Sequence, residues 1–210
     1  TYIYERAAAY GHYSRTRDLT SPDLTPFSGL PLGGVKNRMH QISAAVGRVQ
    51  LKHYQERIEE IQNAMNYFWD LLEGAPGLRG LRPPKDSGST NAGWYACRGR
   101  FFNEELNGLS IQKFAQAIKA EGSECTPGGN LLMHLHPLLN EADTFNHGKP
   151  TRIANSNRDL RQPEGSLPIT ESLPDRIFKT PWFKHCQADI IKEHAEAYRK
   201  VVTQAHKLLT

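Results

Sequence analysis

Gly33-Gly34-Val35-Lys36-Asn37-Arg38-Met39-His40 lies in the stretch from Leu30 to Leu72 around which the rest of the chain can be read. A glycine-rich turn leads through a short basic cluster into a long amphipathic helix. Apolar residues fall at Ile42, Val46 and Val49, then at Tyr54, Ile58, Ile61, Met65, Phe68 and Leu72. The second set alternates steps of four and three, a continuous stripe on one helical face. Between the sets the step is five, and this slip predicts a bend or a change of partner near Leu51. A helix of over about thirty residues runs about 45 Å, longer than a small domain is wide. Such a helix joins two packed bodies. The turn precedes the helix N-terminus, where backbone N–H groups and the helix dipole favour an anion. Lys36 adds a point charge there and Arg38 a planar donor fork. A phosphate or carboxylate site and a plain glycine turn flanked by solvated charges both satisfy the pattern.

The 210 residues suffice for one large domain or two small ones. With 26 basic and 22 acidic residues the net charge is +4, and no block of like charge stands out. Nucleic-acid binding would want a basic stripe interleaved with aromatics, so no such partner is expected. No apolar run approaches the length of a membrane span and no secretory signal opens the chain. Cys97, Cys125 and Cys186 are odd in number and lack metal-ligand spacing, the usage of reduced thiols in a cytoplasmic protein. The first residue is Thr and Thr1 to Tyr13 already reads as helix, so a processed, trimmed or partial chain is expected.

From Ser14 to Gly34 the Pro and Gly content marks a long ordered loop. The long helix stops at Gly74-Ala75-Pro76-Gly77. Leu78 to Gly93 is again rich in Pro, Gly and Ser and reads as a domain boundary. Trp94 to Phe102 reads as a strand with Arg98 and Arg100 on one face. Ser110 caps a helix through Glu121 with Ile111, Phe114, Ala115 and Ile118 on one side. Ser123 to Thr126 suggests a second strand, and 127–166 is irregular and polar. Leu167 to Lys179 reads as a short helix running into a strand. Gln187 to Leu209 is an amphipathic helix with Ile190, Ile191, His194, Tyr198, Val201, Val202, Ala205, Leu208 and Leu209 on its face. The later part is therefore a small α+β sandwich with helices on one face of a sheet.

His134-Leu135-His136, with Cys125 before and His147 after, has the residue types of a metal site. Pro137 follows at once, however, and no carboxylate stands at helical spacing, so no metal is expected. A loop histidine reaching a polar ligand group and ordinary loop packing both remain open. Nucleophile-elbow, Walker and dinucleotide motifs are absent, and no catalytic residue can be assigned.

The run Gly34-Val35-Lys36-Asn37-Arg38-Met39-His40-Gln41-Ile42-Ser43-Ala44-Ala45-Val46-Gly47-Arg48-Val49-Gln50-Leu51 resembles a segment of the DegT/DnrJ family of pyridoxal-phosphate-dependent sugar aminotransferases. The family pattern is Gly-x-Asn-x-Arg-Met, a few residues, Ala-Ala, then Gln-Leu. The Trp94-Tyr95 strand, the helix before Gly122, the His134-Leu135-His136-Pro137 loop and the terminal helix follow in the family's order. Tyr4-Glu5-Arg6-Ala7 and Gly11-His12 resemble the segment after the family's cofactor lysine.

This resemblance implies an α/β enzyme, represented here by the C-terminal part of an aspartate aminotransferase-like fold. Residues 1–50 would be a remnant of the large cofactor domain with its dimer-facing loop, 51–77 the interdomain helix, and 78–210 the small α+β domain. It implies a homodimer using pyridoxal phosphate, with glutamate or glutamine donating an amino group to a keto sugar nucleotide or related cyclic ketone. The Schiff-base lysine, which carries the chemistry, would lie upstream of Thr1, on a missing segment or separate polypeptide. The chain alone is then expected to be inactive. Lys36, Asn37 and Arg38 would serve the cofactor phosphate, Lys36 standing where the family carries Asn; His134 and His136 would face the substrate. The alternative is a non-catalytic dimerising or ligand-binding domain from a split or truncated gene.

Overall fold

The computed structural model describes residues 1–11, 18–28, 39–144 and 146–209. They form two compact units, Thr1–Tyr54 and Gln55–Thr210.

In the first unit, helix α1 (Tyr2–Gly11) carries Ala9 into a small core with Leu19 and Leu24. Glu5 is buried on the same helix and fully engaged. Its carboxylate accepts the backbone N–H of Ser21 at 2.7 Å and of Thr20 at 3.1 Å, together with the Thr20 hydroxyl. Hydrogen bonds from Ser21 and then Thr20 hold its pKa at about 2, below the ordinary 4.5. A carboxyl depressed in the folded state contributes stability in full above its unfolded pKa and loses it as pH falls through the folded one. Protection of the α1 amides against hydrogen exchange, corrected for intrinsic rate, should therefore fall between pH 4.5 and about 2. Glu5→Gln should remove that pH dependence; the same profile in both proteins would contradict this role.

Helix α2 (Gln41–Lys52) begins at His40, whose Nδ1 accepts the Ile42 N–H at 3.3 Å. It ends at His53, whose N–H bonds to the carbonyls of Gln50 and Leu51. The helix expected as one rod is thus two, α3 (Tyr54–Leu71) starting after the interruption. The break falls two residues past Leu51, where the apolar stripe slips. Ile42, Val46 and Val49 are 69%, 55% and 52% exposed, and α2 buries no residue.

The second unit is built on α3, whose Ala64, Met65, Phe68 and Trp69 are buried, as is Leu72 just beyond it. Gly74 and Gly77, at φ 75° and 72°, turn the chain into strand β1 (Leu78–Gly80). Strand β2 (Arg98–Phe101), helix α4 (Ile111–Ala120), strand β3 (Thr126–Pro127), helices α5 (Pro137–Asn140) and α6 (Pro168–Ser172), strand β4 (Ile177–Lys179) and helix α7 (Ala188–Thr203) follow. The sheet is antiparallel with order β1-β2-β4-β3. Register sets Leu78 opposite Phe101, Gly99 opposite Phe178 and Arg98 opposite Lys179.

Side chains alternate across a sheet, so this register gives its two faces opposite characters. Leu78, Gly80, Gly99, Phe101 and Phe178 face α3, α4 and α7. There Phe114 meets Phe101 and Phe178 at ring-centroid distances of 4.9 and 5.4 Å, and Phe68 meets Tyr198 edge-on at 5.5 Å. Arg79, Arg98, Arg100, Ile177 and Lys179 lie on the other face, free of the long helices. The α+β sandwich read from the sequence is present. Two details differ. Leu78–Gly80 is a strand within a segment whose composition suggests a linker. The strand expected from Trp94 begins only at Arg98, because Ala92 and Trp94 adopt φ of 45° and 51° in a turn. No helix among the described residues is long and apolar enough to cross a membrane.

Candidate functional site

The helix-free face of the sheet is walled by the segment after β3. Gly128, at φ 86°, turns the chain so that its N–H reaches the Ile177 carbonyl at 2.7 Å. Asn130 follows and accepts the Nη2–H of Arg98 through Oδ1 at 3.1 Å. A short 3₁₀ turn, Met133–Leu135, then places His134 inward and buried.

His134 lies within hydrogen-bonding distance of Glu171 on α6, with Nε2 and Oε1 2.9 Å apart. An ionised carboxylate only accepts, so the bond places the proton on Nε2. Glu171 also accepts the backbone N–H of Leu167 at 3.0 Å and of Gly165 at 2.7 Å. The bond from His134, then those from Leu167 and Gly165, hold its carboxyl below the usual range. The Asn140 amide donates to the His134 carbonyl at 2.6 Å. His134 is thus held by both its ring and its backbone.

Two cavities meet at Arg98. One, of about 490 Å³, is lined by His134, Arg98, Asn130, Arg152, Leu167 and Ile177 among others. The other, of about 440 Å³, has Arg98 and Asn130 in common with it and adds Tyr95, Cys97, Lys179 and Trp182. Among the described residues no carboxylate lines either cavity. His134 therefore faces a basic, partly apolar pocket. His136 does not line it; its Nδ1 caps α5 by accepting the Leu138 N–H at 3.1 Å. Lys36, Asn37 and Arg38 lie outside the described residues. Glu171 could not be linked to His134 by sequence reasoning, and Asn130 and Arg152 carried no signal. Arg98 was visible through strand alternation, although its surroundings were not.

Among the described residues no group of three or more His, Cys, Asp or Glu side chains converges as a metal site would require. Cys125 is buried, and burial pushes its thiol up to about 11. A lysine that condenses with an aldehyde cofactor needs a desolvating pocket to release its proton near neutral pH. Every lysine among the described residues is exposed.

The family model for DegT/DnrJ/EryC1/StrS aminotransferases matches residues 15–197. The chain belongs to this family. Solved structures with the same fold include an aminotransferase from Psychrobacter cryohalolentis, 18% identical with a TM-score of 0.64. That match covers 96% of this chain and 48% of the other. DesI, solved in the presence of its TDP-sugar product, is 21% identical with a TM-score of 0.56, covering 86% of this chain and 40% of that one. DesV of S. venezuelae, in complex with a ketimine intermediate, is 19% identical with a TM-score of 0.57, covering 87% and 45%. No curated protein matches the chain by sequence. The DegT/DnrJ/EryC1/StrS chain described here therefore spans about half the length of the solved relatives it matches. The chain shares the fold of part of these solved aminotransferases.

Proposed function

We propose that this chain is the C-terminal portion of a pyridoxal-phosphate-dependent aminotransferase acting on a keto sugar nucleotide or a related cyclic ketone. Glutamate or glutamine is the amino donor, and the setting is cytoplasmic. The family match over residues 15–197 carries this reading. The sugar-nucleotide class is supported by the DesI structure, solved with a TDP-sugar product. In this reading Lys36, Asn37 and Arg38 offer the cofactor phosphate a point charge, an amide and a donor fork, across a homodimer. The cofactor, when bound, supplies an electron sink for amino-group transfer. His134, fixed by Glu171 as an Nε2–H tautomer, positions the substrate from the small-domain side, and His136 shapes the loop that carries it.

The Schiff-base lysine is then supplied by polypeptide other than these 210 residues, and the chain alone does not transaminate. Purified chain incubated with pyridoxal phosphate and borohydride should yield no pyridoxyl-lysine in a tryptic mass map. Co-expression with an adjacent upstream segment should restore transamination. A stoichiometric adduct on the isolated chain would overturn the assignment of the lysine. A second reading, a non-catalytic dimerising or ligand-binding domain, is favoured by the exposed apolar face of α2. It requires stable self-association of the chain, measurable by sedimentation, with no gain of activity from any upstream segment.

A further inference from the structure

We propose that Arg98, with Asn130, Arg152 and Lys179, forms a binding site for a multiply charged phosphoryl anion on the helix-free face of the sheet. Arg98 is half-buried at the junction of the two cavities. Its Nη2 is fixed by Asn130, while its Nε–H is buried with no acceptor. Arg79 and Arg176 of the second unit pair with acids, Glu105 and Glu104 respectively. Among the described residues Arg98 has no such counter-ion, and neither does Lys179, its cross-strand neighbour. Arg152 lines the first cavity with Arg98, its Nη2 reaching the Gln162 amide oxygen at 3.4 Å, while Lys179 lines the second with Arg98.

A buried N–H without an acceptor and a guanidinium without a counter-charge are both costly, and one ligand oxyanion removes both deficits. Arg98 has a second cation on either side, Arg152 in one cavity and Lys179 in the other, and no carboxylate among the described lining residues, which calls for more than the single charge of a carboxylate. A guanidinium fork beside a flexible ammonium suits phosphoryl oxygens. The Gly128-Gly129 turn passes close beside the guanidinium, a Cβ at Gly129 lying 3.8 Å from Arg98 Nη1. Arg100, two residues along, is different: its guanidinium stacks 4.8 Å from the centre of the Phe102 ring. This site stands on side chains of the second unit alone, so its test needs no turnover and is independent of the aminotransferase reading.

Calorimetric titration of the 210-residue chain with sodium pyrophosphate should show saturable binding, with inorganic phosphate weaker. Arg98→Gln should weaken pyrophosphate binding about tenfold or more, the worth of a charge-assisted hydrogen bond. Lys179→Gln, at an exposed position that tolerates substitution, should weaken it severalfold even if Arg98→Gln proves unstable. Arg100→Gln should leave it within about twofold. Absence of binding, or equal losses in Arg98→Gln and Arg100→Gln, would overturn the site. Glutarate binding as tightly as pyrophosphate would overturn the phosphoryl assignment.

Discussion

Phe68→Ala should cost the second unit about 3–5 kcal/mol, the range for removing a fully buried aromatic ring. Phe68 has no exposed surface. Its ring sits 5.4 Å from Trp69, 5.4 Å from Phe183 and 5.5 Å from Tyr198, two of these contacts edge-to-face. Such pairs add stabilisation beyond the area they bury. The ring also ties together elements distant in sequence: α3, the segment after β4, and α7. Rigid aromatic neighbours on three sides leave little scope for collapse into the vacated space, which places the cost toward the upper end. Urea titration followed by tryptophan fluorescence reads this unit, since Trp69, Trp94 and Trp182 all lie in it. The midpoint should fall with little change in slope. A loss below about 1 kcal/mol would mean that the core repacks around the gap.

Gly99→Ala is the second large effect, and it acts by excess volume. A methyl group there would sit 2.5 Å from both the Phe178 ring and the Trp69 ring. Both rings are buried and held by further aromatic contacts, so neither can give way freely. Overpacking of this kind costs about 1–3 kcal/mol. Strand β2 would be displaced, and Arg98 with it, because the two residues are adjacent. Thermal melting should show the loss, and pyrophosphate affinity should weaken in the folded fraction at low temperature. A variant as stable as the parent would mean that the strand moves without resistance.

Periodicity revealed the helices, because burial on one face is a local pattern. Ser110 does cap α4, its hydroxyl accepting the Lys113 N–H at 3.3 Å, and the four residues assigned to its inner face are all buried. The last helix follows its expected face through Tyr198, Val201 and Val202, yet it stops at Thr203, and Ile190 near its start and Leu209 beyond its end are exposed. The slip in the apolar stripe located the break near Leu51, but not the cap supplied by His53. Strand β1 escaped notice because three residues are too few to show alternation, and its stability comes from pairing with β2. At the candidate site, the resemblance singled out His134. Its partner Glu171 stands 37 residues away and is brought near only by tertiary packing. The exposure of Arg98 to two cavities, and the lack of an acid beside it, are properties of space that no local spacing encodes.

The sheet order carries a consequence for assembly. Strand β4, last of the four in the chain, lies between β2 and β3, and among the described residues β3 pairs with no other strand. Arg98 and Lys179, which face each other across the ladder, are separated by a long intervening chain. Closing such a loop is entropically unfavourable before any long-range contact forms, and non-local pairing slows folding. On a growing polypeptide, α3, β1, β2 and α4 can gather early around Phe68 and Phe114. The basic face can take shape only after residues 177–179 have emerged and docked. The basic face and the core are therefore completed together and late, because Phe178, Phe183 and Tyr198 also come from the last part of the chain.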